Sequence, residues 1–108
     1  MTLAELLADR PVLLADGATG TNLFDMGLTS GDAPDMWNLE KPDNIRRLHQ
    51  CFVEAGCDII LTNTVGSNAR RLLLHDAQDQ AVELSMGGAE GARVFGDEAG
   101  RPVVVAGS

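Results

Sequence analysis

Three short polar clusters carry the residue types that could do chemistry: Asp16-Gly17-Ala18-Thr19-Gly20-Thr21, Thr62-Asn63-Thr64 running on to Asn68, and Gly107-Ser108. An ionised Asp16 can accept hydrogen bonds from a ligand amine or hydroxyl, while Gly17 and Gly20 let a backbone approach closely. The same turn also reads as an Asx turn capping the helix after it. A third reading, a phosphate cradle, lacks the lysine of a P-loop and the G-x-G-x-x-G spacing, and Asp16 would repel phosphate. A hydrolase reading lacks a nucleophile elbow and a base beside Asp16. His49, Cys51 and Cys57 complete the reactive types. The cysteine spacing matches no zinc or redox signature, so the pair reads as reduced thiols on or beside a helix. His49, next to apolar Leu48, reads as a packing residue.

The elements that must position these clusters alternate. Thr2 and Glu5 form a capping-box pattern opening a short helix with Leu3, Leu6 and Leu7 as its apolar face. Val12-Leu13-Leu14-Ala15 is continuously apolar and predicts a buried strand. A helical turn through Asn22-Leu23-Phe24 leads into "LTSGDAPDMWNLEKPD", a polar, turn-rich loop that holds Trp37, the only tryptophan. Asp43, after Pro42, predicts the cap of a helix with Ile45, Leu48, Phe52 and Ala55 inward and Gly56 as its left-handed end. Asp58 to Thr64 predicts a second strand. Helical signals follow at Ala69 to His75 and from about Asp79 to Glu98, where Leu84, Gly88, Ala92, Phe95 and Ala99 share a face. Gly87, Gly88 and Gly91 each weaken a helix by about 1 kcal/mol relative to Ala, so close packing is expected to compensate. Val103 to Ser108 predicts a third strand.

Strand, helix, strand, helix, strand is the order of a parallel sheet with right-handed crossovers. All three polar clusters then fall at carboxyl ends of strands, the edge where barrels and open parallel sheets bind ligands. Three strands neither close a barrel nor cover themselves, so the sequence predicts the first part of a larger domain or a small sheet completed by a partner chain. Charge narrows the ligand class. With 8 Lys and Arg against 16 Asp and Glu, the formal net charge is -8, which argues against nucleic acid or an anionic membrane surface. No segment approaches the roughly 18 to 20 apolar residues of a membrane span, and the N-terminus lacks a signal-peptide pattern, which makes the cytoplasm the expected location.

"LLADGATGTNLFDMGL", "MWNLEKPDNIRRLHQCFVEAGCDIILTNTVGSN" and "VVVAGS", in that order, resemble the opening of the homocysteine S-methyltransferase family. That family includes betaine-homocysteine methyltransferases and the homocysteine-binding module of cobalamin-dependent methionine synthase. The resemblance implies an α/β fold, the N-terminal part (about three βα units) of a (β/α)8 TIM barrel, with residues 1–108 a homocysteine-binding portion ending after the third strand. It implies a methyltransferase in which zinc holds homocysteine as a thiolate that takes a methyl group from betaine or a related donor, forming methionine. The chemistry is sound, because a free thiol is largely protonated at neutral pH and zinc removes that proton without a strong base.

On the same resemblance, Asp16 would pair with the homocysteine ammonium and Gly17 would offer backbone contact, with Thr62, Asn63 and Thr64 supporting the site floor. Trp37 matches a donor-side position, where an aromatic face could hold a quaternary ammonium; its alternative role is a core or rim anchor. The family's zinc ligands are cysteines of later strands that Cys51 and Cys57 do not match, so no metal ligand is expected in this chain and methyl transfer is not expected of it alone. The donor stays open among betaine, methylated sulfur compounds and methyltetrahydrofolate, with cobalamin or folate as candidate donor systems. Expected partners are small molecules, not nucleic acid or membrane, and a homo-oligomer is compatible with the family. The competing class is a non-catalytic α/β piece that binds a small amino acid or pairs its sheet with a partner.

Overall fold

Helical periodicity places Ile45, Leu48 and His49 on one buried face of helix α4 (Pro42–Glu54). Phe52 packs partly buried beside them, whereas Ala55 is exposed. Pro42 starts the helix with its ring-fixed φ, and Lys41, not Asp43, is the N-cap residue. The expected Asp43 cap is therefore corrected: Asp43 lies in the first turn, where its charge favours the positive end of the helix dipole. Gly56 ends the helix region at φ +104°, as the sequence predicts.

The computed structural model describes residues 2–108. Around α4 stand α1 (Leu3–Asp9), α2 (Thr19–Asp25), α3 (Trp37–Glu40), α5 (Ala69–Leu72) and α6 (Ala81–Glu98), with strands β1 (Ile59–Leu61) and β2 (Val104–Ala106). In α1, Thr2 Oγ1 accepts from the Glu5 N–H at 3.2 Å, but of the expected apolar face only Leu6 is buried. The stretch expected as a plain loop holds a 3₁₀ turn at Pro34–Met36 and then α3. Leu23, Leu28, Trp37, Ile45 and Leu48 form one core cluster, and Leu72, Ala77 and Leu84 a second.

β1 and β2 are parallel, with Ile59 opposite Val104 and Leu61 opposite Ala106. Ile60 between them is fully buried. The strand expected at Val12–Ala15 is reduced to a single parallel bridge, Ala15 to Ile59. The local reason is that the Leu14 N–H donates to the Asp58 side chain, while the Leu14 carbonyl takes both the Asp58 and Ile59 N–H groups. Val12 and Leu14 are 77% and 55% exposed, so the expected burial is not met either. The α/β expectation holds, with two strands and a bridge in place of three strands.

Helix α6 crosses between the two strands. Leu84, Gly88 and Ala92 face inward, and Gly88 shows why a helix would keep a glycine. A Cβ there would lie 2.6 Å from Thr64 Cγ2, 2.8 Å from Asn38 Nδ2 and 3.0 Å from the Asn63 carbonyl. Close packing thus accounts for Gly88. It does not account for Gly91, whose Cβ would meet nothing within 4 Å.

Candidate functional site at the carboxyl ends of the strands

Where β1 ends, the chain swaps ladder hydrogen bonds for side-chain ones. The Thr62 N–H still donates to the Ala106 carbonyl at 2.9 Å. Thr62 Oγ1 and Thr64 Oγ1 then lie 2.7 Å apart, and Ser108 closes the group: its N–H donates to Thr62 Oγ1 and its Oγ to the Thr62 carbonyl. Thr64 Oγ1 reaches the Ser108 carbonyl at 3.0 Å. Two of the three polar clusters are thereby tied into one surface. That surface is one wall of a cleft of about 340 Å³, whose other walls include Gly20, Asp35, Arg71 and His75.

Asp16 belongs to the third cluster and reaches the same strand end. Its N–H donates to the Ile59 carbonyl, and both carboxylate oxygens accept from the Leu61 N–H, at 3.2 and 3.1 Å. The carboxylate stands where a neighbouring strand's carbonyl would, next to Leu61 of the cleft wall, although Asp16 and Gly17 themselves do not line the cleft. One shared N–H uses a fraction of a carboxylate's roughly four acceptor directions. No lysine, arginine or histidine pairs with Asp16 among the described residues. The Asx-turn role is filled differently: helix α2 starts from Ala18 with no side-chain cap. Ala18, not a glycine, adopts the left-handed conformation at φ 52°, and its carbonyl accepts from Thr21 Oγ1 and Asn22 Nδ2. Gly17 and Gly20 have open space where a Cβ would stand.

Asn63 also lines the cleft, but its side-chain nitrogen is engaged in a buried amide pair. Its Nδ2 donates to the Pro34 carbonyl and to Asn38 Oδ1, and Asn38 Nδ2 donates to the carbonyls of Asn63 and Leu84. Asn38 and Asp35 were not singled out by sequence reasoning, which assigned their stretch to loop. The Pro34-Asp35 pair is itself a helix-start signal and could have drawn attention to them.

Trp37 is 5% exposed and sits in the core with Leu23, Ile45 and Leu48, outside the cleft. Lys41 Nζ lies 5.2 Å from its ring centroid. The geometry therefore gives Trp37 the anchor role beneath the long connection. His49 is buried against Phe95, with both ring nitrogens unpartnered among the described residues, and burial pushes its pKa down despite the opposing pull of the Asp16 charge. Burial, and secondarily Asp16, pushes the Cys57 thiol up, while Cys51 is exposed.

Among the described residues no three His, Cys, Asp or Glu side chains converge as a metal site requires. The residues present do not fit a zinc ion. No described helix is long and apolar enough to cross a membrane.

Residues 13–108 match the family described as Homocysteine S-methyltransferase. Methionine synthase of Mycobacterium leprae is 38% identical across 93% of this chain, and that of Mycobacterium tuberculosis is 36% identical across the same share. The chain spans only 9% of the length of each. Among solved structures, the metallated form of the homocysteine methyltransferase MmuM from Escherichia coli has a TM-score of 0.81 at 26% identity, covering 97% of this chain and 40% of that one. Its oxidized form gives 0.79 at 25% identity, covering 96% and 39%. The matched segment contains the Asp16 turn, the β1 end and Ser108, and the chain belongs to the homocysteine S-methyltransferase family.

Proposed function

We propose that this chain supplies the amino-acid-binding rim of a homocysteine S-methyltransferase, as part of a homocysteine-binding barrel domain. The observation that carries the reading is the convergence of Asp16, Thr62, Thr64 and Ser108 on one strand end beside a 340 Å³ cleft. Asp16 offers a carboxylate without a cationic partner, which suits the homocysteine ammonium. Gly17, with nothing within 4 Å of its missing Cβ, leaves its backbone open to the ligand. Thr62 and Thr64 hold the floor through their hydroxyls, and Asn63 holds it from behind. Methyl transfer to form methionine, zinc activation of the thiol, and the donor (betaine or a related compound, with or without cobalamin or folate) belong to the whole protein and form part of the proposal. No role on the donor side is given to Trp37, whose ring is covered by the core and Lys41.

The test is an assay of the whole protein with homocysteine and each donor in turn, with zinc quantified, repeated for Asp16→Ala. The proposal expects methionine to form with one donor and the variant to lose homocysteine affinity while keeping its zinc. Unchanged homocysteine affinity in the variant would remove Asp16 from the site.

A further inference from the structure

Asp35 is 5% exposed, yet it carries a carboxylate and lines the cleft. A buried charge needs compensation, which here comes from hydrogen bonds. Asp35 Oδ2 accepts from the Gly66 N–H at 3.1 Å and from Ser67 Oγ at 2.7 Å. Both donors belong to the turn Thr64–Ser67, which is closed by the Ser67 N–H donating to the Thr64 carbonyl at 3.0 Å. Ser85 Oγ, from α6, reaches the Ser67 carbonyl at 3.3 Å. The approach is close enough to dictate sequence: a Cβ on residue 66 would stand 2.6 Å from Asp35 Oδ1. Thr64, Val65 and Gly66 of this turn are cleft wall.

We infer that Asp35 is a positioning residue: by gripping Gly66 and Ser67 it sets the wall of the cleft against which the amino-acid substrate is held. This rests on the reading of the cleft as the homocysteine site. The grip requires an acceptor at Oδ2 and not a charge, so an asparagine side chain satisfies it and an alanine does not. Because the wall is present before and during reaction, its loss weakens ground-state and transition-state binding alike. KM for homocysteine then rises while kcat holds.

The experiment compares wild type, Asp35→Ala, Asp35→Asn and Ser67→Ala in the whole protein, reading amide hydrogen exchange and steady-state kinetics. In Asp35→Ala, exchange at Gly66 and Ser67 is expected to quicken by about tenfold or more while α4 core amides stay protected. KM for homocysteine should rise by about tenfold with kcat within about threefold. Asp35→Asn should return both readouts to near wild type, and Ser67→Ala should fall between. If Asp35→Ala does not fold, Ser67→Ala must show the same changes in weaker form. Unaltered exchange at Gly66 and Ser67 overturns the grip whatever the substrate proves to be. Quickened exchange with an unmoved KM overturns the link to the cleft, as does Asp35→Asn behaving like Asp35→Ala. Failure of the wild type to bind homocysteine would instead sink the functional reading, with the exchange data still judging the grip.

Discussion

At the amino end of β1, Asp58 is buried between two guanidinium groups, whereas at its carboxyl end Asp16 and Asp35 are held only by uncharged donors. Arg10 pairs with Asp58 directly, and Arg101 stands 3.7 Å from it while donating to the carbonyls of Val53 and Cys57. Asp58 Oδ2 also takes the Leu14 N–H at 3.0 Å. One residue type thus does two jobs on one strand. Where internal cations neutralise the carboxylate, it stitches α1, the Ala15 bridge and the approach to β2 together. At the rim no such pairing forms among the described residues, which on the proposed reading leaves negative charge for a ligand to answer. In parallel α/β architectures the amino-terminal face serves stability and the carboxyl-terminal face chemistry, and the two arginines on Asp58 follow that division, whereas Arg71, on the cleft wall, makes no ion pair among the described residues.

The contrast breaks most visibly at Asp58. Asp58→Ala removes the anion from between two arginines and orphans the Leu14 N–H, and is expected to cost about 3 kcal/mol, moderated because both arginines remain partly exposed. Denaturant unfolding of the whole protein reads it, and a loss below about 1 kcal/mol would show that the ion pairs do little. Asp16→Asn keeps an acceptor for the Leu61 N–H but removes the charge. Its expected effect is a loss of about 2 kcal/mol in homocysteine binding, in line with a charge-assisted hydrogen bond, visible by calorimetric titration. Gly88→Ala forces a methyl group against Thr64 and Asn38 and should destabilise by about 1 to 2 kcal/mol, whereas Gly91→Ala, in open space, should stabilise by up to about 1 kcal/mol. Equal effects at the two glycines would contradict the account of how α6 seats behind the rim.

The smallest expected effect is a slope. The folded-state pKa of His49 lies below its ordinary 6.5. Above that pH the ring is neutral in both states, and its contribution to stability is complete. As pH falls from 6.5 towards the folded value, the unfolded chain takes up the proton first and stability declines. His49→Phe should lack this part of the decline in unfolding experiments between about pH 7 and 5. An identical slope in the variant would place the titration elsewhere.

Much of this arrangement was legible in the sequence because its signals are local. Gly56 announces the end of α4, and the apolar spacing of Ile45 and Leu48 announces its buried face. Thr62-Asn63-Thr64 and Gly107-Ser108 announce strand ends. Three features were not legible, each because particular side-chain hydrogen bonds decide it. The strand at Val12–Ala15 shrinks to a bridge because Asp58, 44 positions away from Leu14, takes its N–H. The left-handed residue in the Asp16 turn is Ala18, tolerated where the Thr21 and Asn22 side chains bond its carbonyl. Asp35 and Asn38 hide in a stretch of turn-forming composition, and their burial follows from partners at Gly66, Asn63 and Leu84.

The central claim is that charge at the carboxyl rim serves the ligand and charge at the amino rim serves the fold. Its most direct measurement pairs Asp16→Asn with Asp58→Asn in the whole protein, recording homocysteine affinity and unfolding midpoint for both. The account predicts that Asp16→Asn weakens homocysteine by about tenfold or more with little change in midpoint, and that Asp58→Asn lowers the midpoint while the folded protein binds as before. Unchanged affinity in Asp16→Asn, or a shared loss of stability in both variants, would contradict it.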